Sequence, residues 1–341
     1  MKHKLLTVVI PTYNMEKYLG KCLNSLLIHN TELQSLLEVL IINDGSTDHS
    51  PEIGHKYEKH YPHMFKVVDK SNGNYGSCVN RGVLEASGKY IKILDADDQF
   101  DTEALEWLLQ GLININSDLI ITNYVTVDEN GNVTGEIKYD IPINEILPSS
   151  DLSKIGKDIA MHAVTYRTDM LRKMQYRQTE GISYTDQEWI FKPMSAVRSF
   201  VYYDKSLYRY LIGRQGQTMD LTALAKNMHQ NLIVLENNIN YYNKLTDIPP
   251  TYEYLWIRLI SLIEYVYKLY LYNTSIMNLI PLIEFDKKIK SLNPNLYNYA
   301  ATLKAGKLPL VKVWRWFYYK HDYGLNRFFA YRKYRMGIGM K

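Results

Sequence analysis

Cysteine is almost missing from this chain: Cys22 and Cys78 are the only two among 341 residues. Each sits beside apolar neighbours in a helical pattern. The pair therefore reads as core thiols of a reducing compartment, not as a disulfide framework. No Cys/His spacing suits structural zinc. Long uncharged apolar runs are missing too. The longest apolar segment, residues 254–272, is broken by Arg258, Glu264 and Lys268, which makes it an amphipathic helix and not a membrane span. The opening MKHKLLTVVIP holds only about six apolar residues before Pro11, too few for a signal peptide or a span. No Gly-x-Gly-x-x-Gly follows the first strand and no Gly-Lys-Ser/Thr loop occurs, which disfavours a dinucleotide dehydrogenase and a P-loop enzyme. A strong net charge is absent as well, the total being +4, so the balance alone gives nucleic-acid binding no support. No internal repeat is present.

What is there suffices for a large core. Hydrophobic residues make up 46% of the chain, and the length suits one large domain or two. Residues 5–10 form an expected first strand, ended by Pro11. Asn14 is placed to cap a helix over residues 15–28, with Tyr18, Leu19, Cys22, Leu23 and Leu26 facing inward. Residues 37–42 are a second, wholly apolar strand. It runs into Asn43-Asp44-Gly45-Ser46-Thr47-Asp48, a turn-rich loop. Ser50-Pro51 opens another helix. Residues 65–68 give a third strand, Asn72-Gly73-Asn74-Tyr75-Gly76 a loop, and a helix then runs through Val79, Val83, Leu84 and Ala86. This alternation predicts an α/β fold with a parallel, doubly wound sheet. The polar loops fall at strand carboxyl ends, where open sheets bind ligands.

A fourth strand, Lys89-Tyr90-Ile91-Lys92-Ile93-Leu94, ends in Asp95-Ala96-Asp97-Asp98. Like charges this dense cost energy unless water, a cation or hydrogen-bond donors meet them. Asp95 and Asp97 stand two apart and share a face if extended geometry continues. They suit a hard divalent cation with room for a diphosphate. Asp98 or Asp101 can instead cap the helix that starts near Thr102. A calcium loop through Asp95, Asp97, Gln99 and Glu106 would need Gly where Phe100 stands. A phosphoryl-transfer Asp-x-Asp of the haloacid-dehalogenase type follows a first strand, whereas three strands precede this one.

Periodicity weakens further along. Residues 118–127 alternate as a strand, and Asp128-Glu129-Asn130-Gly131-Asn132 turns a hairpin into residues 133–141. Residues 146–150 read as a loop, 159–166 as a strand, 167–174 as a helix and 200–203 as a short strand. Another helix follows Gly181-Ile182-Ser183-Tyr184-Thr185-Asp186-Gln187-Glu188-Trp189. From residue 221 onward helical periodicity dominates. The expected division is a sheet-containing domain over residues 1–215 and a helical, basic-aromatic region over residues 216–341.

Four stretches, taken in order, carry a resemblance. Thr7-Val8-Val9-Ile10-Pro11-Thr12-Tyr13-Asn14 is the first, and Ile41-Ile42-Asn43-Asp44-Gly45-Ser46-Thr47-Asp48 the second. The third is Asn72 to Gly82 with Asn80-Arg81-Gly82, and the fourth Ala86-Ser87-Gly88-Lys89-Tyr90 leading to Leu94-Asp95-Ala96-Asp97-Asp98. Together they resemble the nucleotide-binding half of an inverting family-2 glycosyltransferase with the GT-A fold. The likeness covers residues 7–108, thins over 109–215 and fades beyond. It implies that Pro11, Thr12 and Tyr13 lie against the uracil of a UDP-sugar, and that Asp44 accepts the uracil N3–H. Asn72, Gly73 and Ala96 would line the nucleotide. Asp95 would reach the ribose or a metal-bound water, and Asp97 would ligate Mn²⁺ or Mg²⁺. An Asx-turn with Ser46 or Thr47 is the plainer use of Asp44. The family's later carboxylate is matched at Asp186, with Trp189 as its aromatic, although Thr185 departs from the usual Glu. Asp186 is thus the candidate general base and Glu188 the runner-up, with a helix cap at Thr185 or Asp186 as the plainer reading. His162 is a candidate sugar or acceptor contact, and Arg214 a diphosphate contact. A lone His is more often structural.

The resemblance implies an enzyme that moves a sugar from a UDP-sugar to a hydroxyl of a glycan, lipid-linked or cell-wall polymer acceptor, such as a bacterial capsule or exopolysaccharide. A nucleotidyltransferase on a similar sheet would carry a Gly-rich basic loop after the first strand, but residues 11–18 hold one Lys and no Gly. A UDP-sugar-binding or scaffolding relative without turnover would have no need of Asp95, Asp97 and Asp186 together. Residues 302–341 hold ten basic residues against one acid, Asp322, interleaved with aromatics. That mixture suits the headgroup layer of an anionic membrane. The expected location is cytoplasmic, peripheral on the inner face of the cell membrane. Packing of these aromatics onto the protein is the alternative. No nucleic-acid module is present, and a homo-oligomer is left open.

Overall fold

The computed structural model describes residues 4–214, 227–272, 279–304 and 309–320. The expected boundary near residue 216, and residues 305–308 and 321–341 of the basic-aromatic segment, lie outside the described residues. The chain forms two compact units. One comprises Met1–Asp220 with Pro249–Tyr254, the other Leu221–Ile248 with Leu255–Lys341.

In the first unit, strands β1 (Leu6–Thr12), β2 (Leu37–Asn43), β3 (Phe65–Asp69) and β4 (Tyr90–Ile93) lie in the order β3-β2-β1-β4, every pair parallel. Helices α1 (Leu19–Asn24), α2 (Thr31–Gln34), α3 (Ser50–His60) and α4 (Asn74–Glu85) make the crossovers. Strands covered on both faces need no polar side. Val8, Val9 and Ile10 are accordingly all fully buried, each contributing about 1.5–3 kcal/mol. Helix α4 lies close on β1 at Gly82, where a Cβ would stand 2.4 Å from Val9 Cγ1.

The chain then adds β5 (Gln99–Phe100), α5 (Thr102–Leu112), β6 (Leu119–Val127), β7 (Val133–Ile137), β8 (Ile146–Pro148), β9 (Val164–Arg167), α6 (Thr168–Lys173), α7 (Asp186–Trp189) and β10 (Ser199–Leu211). Beyond β4 the sheet continues β9-β6-β10-β5 and turns mixed, with β6 and β10 parallel and the other pairs antiparallel. The result is a mostly parallel sheet with an antiparallel extension.

Several elements differ from the sequence reading, each for a local reason. Asn14 does not cap a helix. It sits at φ 54°, its Oδ1 accepts the Thr47 amide at 2.8 Å, and α1 begins only at Leu19. Residues 146–148 are strand, not loop, because they pair with residues 199–201, and three residues are too few to show a period. The strand expected over 159–166 is shortened to β9 by a 3₁₀ turn at Met161–Ala163. The strand expected over 200–203 runs on to Leu211, because register shifts at Tyr203, Ser206 and Tyr208 carry the ladder past exposed Asp204 and Lys205. Asp101 is the residue that caps α5, accepting the Ala104 amide at 3.0 Å.

The second unit is helical: α8 (His229–Asn243), α9 (Tyr252–Tyr272, from Leu255 onward), α10 (Ile280–Leu292), α11 (Pro294–Ala300) and α12 (Leu310–Lys320). Its core holds an ion pair. Fully buried Asp286 accepts Arg315 Nη2 at 2.7 Å and the Tyr267 hydroxyl. The Arg315 guanidinium also lies 3.6 Å over the Tyr297 ring. Trp314 is fully buried and meets Tyr267 edge-on. The packing alternative therefore applies to Trp314 and Arg315, which face inward, whereas Trp316 is 50% exposed. Among the described residues no helix is long and apolar enough to cross a membrane.

Candidate active site

Four loops at strand carboxyl ends converge, those after β1, β2, β3 and β4. After β1, Tyr13 is 48% exposed, while Thr12 is buried with its hydroxyl donating to Ile10 O. After β2, Asp44 is buried, and its amide donates to Thr12 O at 2.8 Å. The Asp44 carboxylate is not left to an Asx-turn. Its Oδ1 accepts Lys70 Nζ at 2.5 Å and the Gly73 amide at 2.9 Å, and Asn72 Nδ2 donates to the Asp44 carbonyl at 3.0 Å. Ala96 is buried in the core.

After β4 come the acids. Asp95 Oδ1 accepts the Tyr75 hydroxyl at 2.9 Å. Asp97 is paired with Arg214 Nε at 2.5 Å, and the guanidinium lies 5.1 Å over the Tyr18 ring. Asp98 is buried. It accepts the Tyr208 hydroxyl at 2.6 Å and the Leu211 amide at 2.7 Å, both from β10. Burial first, then the Asp97 charge, pushes the Asp95 carboxyl up to about 7. Burial and the charges of Asp97 and Asp95 raise Asp98 as well. Three carboxylates around one guanidinium are short of positive charge, and that deficit fits a hard divalent cation.

His162 stands at the edge of this cluster. Its ring stacks 4.3 Å from Tyr210 and meets Tyr208 edge-on at 4.6 Å. Burial first, and the nearby Lys92 charge second, push it down to about 3, so the imidazole is neutral. Ligand atoms of Asp95, Asp98 and His162 all lie within 4.8 Å of one another. The expected pair was Asp95 with Asp97. The structure brings Asp98 and His162 to Asp95 and places Asp97 against Arg214.

The segment bearing the candidate base is stitched to α4. The Asn80 side chain donates from Nδ2 to Gln178 O at 2.9 Å and accepts the Gln178 amide on Oδ1 at 2.8 Å. The Gly181 amide donates to Gly73 O at 2.9 Å. At Gly76 a Cβ would stand 1.9 Å from Thr179 O, so only glycine permits the contact. Thr185 makes no cap bond and instead accepts Gln178 Nε2 at 2.9 Å. Asp186 opens α7, near enough for its charge to raise both Asp95 and Tyr75. Glu188 is fully buried and engaged by the Thr179 amide and hydroxyl, each at 2.7 Å, and by Lys192 at 2.8 Å.

Sequence reasoning missed Lys70, Tyr75 and Tyr208. Each reaches its carboxylate from another element, so no spacing marks it. Lys92 did carry a signal, a charge inside an apolar strand.

Residues 7–175 match the family described as "Glycosyl transferase family 2". The "Uncharacterized glycosyltransferase YibD" of Escherichia coli K12 is 30% identical over 251 residues, covering 71% of this chain and 69% of that one. "Glycosyltransferase GlyA" of Streptococcus pneumoniae serotype 4 is 25% identical over 249 residues, covering 68% of this chain but only 35% of its own length. Among solved structures, Staphylococcus aureus TarS 1–349 in complex with UDP-GlcNAc has the same fold. Its TM-score is 0.60 at 19% identity, covering 99% of this chain and 93% of that chain.

Proposed function

The chain belongs to glycosyl transferase family 2, and from that premise we propose that it transfers a sugar from a UDP-sugar to an acceptor hydroxyl with inversion at the anomeric carbon. The observation that carries the reading is the gathering of Asp95, Asp98 and His162 at the carboxyl end of β4, their ligand atoms within 4.8 Å of one another. Tyr13 offers its exposed ring to the uracil, with Pro11 and Thr12 behind it. Asp44 offers a carboxylate oxygen to N3–H, and Asn72, Gly73 and the Ala96 backbone line the nucleotide. Asp97 and Asp95 would hold Mn²⁺ or Mg²⁺, with Asp98 and His162 in reach. Such a cation, when bound, neutralises the departing diphosphate. Arg214, beside Asp97, is placed to meet the same phosphates. Asp186 takes the proton of the acceptor hydroxyl, whose oxygen attacks in line from the face opposite UDP. Glu188 is unsuited to that task, being buried and already paired with Lys192.

The acceptor proposed is a glycan, lipid-linked or cell-wall polymer of the capsule or exopolysaccharide kind. The donor and catalytic residues fall within residues 1–215, and the helical region over residues 216–341 would present the chain to the inner face of the membrane. A panel of UDP-sugars with Mn²⁺ tests the reading. One sugar should release UDP slowly, chelator should stop it, and Asp97→Ala should lose it. Full activity of Asp97→Ala in chelator-treated buffer overturns the metal role, and no release from any UDP-sugar overturns the donor.

A further inference from the structure

Lys70 follows β3 and was not among the expected site residues, yet it makes three hydrogen bonds at the base end of the site. Its Nζ donates to Asp44 Oδ1 at 2.5 Å, to Ser71 O at 2.6 Å and to Ser77 Oγ at 2.9 Å. Ser77 Oγ in turn donates to Asn74 O at 2.7 Å, which fixes it as the acceptor from Lys70. An ammonium has three protons, so all of them are engaged within the protein and none is left for a ligand. Lys70 therefore acts through Asp44. Asp44 Oδ1 receives a second donor, the Gly73 amide at 2.9 Å, and none of these bonds falls on Oδ2. The side chains of Lys70 and Asp44 are only 19% and 3% exposed, so the pair is shielded from competing water and keeps its strength.

Resting on the UDP-sugar reading above, we infer that Lys70 is a positioning residue that sets base specificity. It holds the Asp44 carboxylate by one oxygen and turns the other toward the base. Uracil presents N3–H, a donor, to that oxygen. Cytosine presents an unprotonated N3, an acceptor, and two lone pairs then face each other. Discrimination of this kind depends on a fixed acceptor, because a carboxylate free to rotate can turn away from the wrong base. Neutralising Lys70 also leaves the buried carboxylate without its counter-charge.

The test measures UDP and CDP binding by calorimetry, with Mn²⁺ present, on the full chain. Both nucleotides carry the same ribose and diphosphate, so the ratio of their affinities isolates the base. The wild type should prefer UDP. Lys70→Met should lose about tenfold or more in UDP affinity, the worth of a charged hydrogen bond, with CDP affinity little changed. Lys70→Arg should restore most of the preference. Lys70→Gln keeps polarity without charge and should behave as Lys70→Met does, so it stands in if the Met variant fails to fold. Parallel loss of UDP and CDP affinity, or no loss of either, overturns the inference alone. Wild-type protein that binds neither nucleotide overturns the UDP-sugar reading and this inference with it.

Discussion

At the scale of single residues, two acids two positions apart have opposite fates. Asp186 stands near the β4 acids, while Glu188 is buried on Thr179 and Lys192. Asp186→Asn should leave UDP binding intact and lower transfer by about a hundredfold or more. Glu188→Gln should cut the unfolding free energy by about 3–5 kcal/mol through its broken ion pair, while folded molecules still turn over. Turnover and urea unfolding on both variants check the pair, and the opposite pattern reverses the assignment. Lys92 gives a pH signature. It is fully buried and donates to His162 O at 2.7 Å and Val164 O at 3.1 Å, carbonyls beyond the end of the short β4–β9 ladder. Burial pulls its ammonium down from 10.5 to about 7. Between those values the unfolded chain binds a proton that the folded chain does not, so this residue makes stability rise with pH, by at most about 1.4 kcal/mol per pH unit. Lys92→Met should remove that rise. Unfolding curves across the window in both proteins measure it, and equal slopes refute it. The sequence showed Lys92 as a charge in an apolar run, and Asp44, Asp95 and Asp97 as acids at strand ends. It did not show Lys70 or Tyr208, because their partners lie 26 and 110 residues away.

At the scale of elements, β1 to β4 were legible because strands buried on both faces read as unbroken apolar runs. Of the later strands, β6 and its hairpin to β7 were legible by alternation and turn residues, whereas β8 and the full length of β10 were not. β10 changes register at its exposed Asp204-Lys205 stretch, and β8 is three residues long, so neither keeps a period. The segment from Gln178 to Trp189 has little regular structure of its own. Its place is set from outside by Asn80 and by the close approach at Gly76. Gly76→Ala should push Thr179 away from α4 and destabilise the fold by about 1–3 kcal/mol, as overpacking does. It should also lower transfer more than UDP binding, because Asp186 rides on the displaced segment. Steady-state kinetics beside UDP titration separate the two effects, and an unchanged turnover rate would mean that the segment is held some other way.

At the scale of the whole molecule, the chain is a glycosyltransferase whose sheet-containing unit is joined to a helical one. The proposed membrane role of the basic-aromatic segment would have to do without Arg315, which is paired with Asp286. The full chain should bind anionic vesicles at low salt and leave them at high salt, each exposed cation adding about 1 kcal/mol. A truncation near residue 300 should not bind. Co-sedimentation measures this, and a full chain that stays in solution at low salt removes the membrane role. The bonds that β10 makes to Asp98 also fix an order of events during synthesis. Asp98 waits for Tyr208 and Leu211, which lie 110 and 113 residues further on. At a translation rate of about 5–20 residues per second that is a delay of roughly 5–20 s. During that interval the nascent sheet already carries these acids, but Asp98 lacks its two donors from β10. An unfinished chain therefore shows a cluster of charge beside Phe100, whose ring Tyr208 later covers, and the site closes only as the last strand of its sheet arrives.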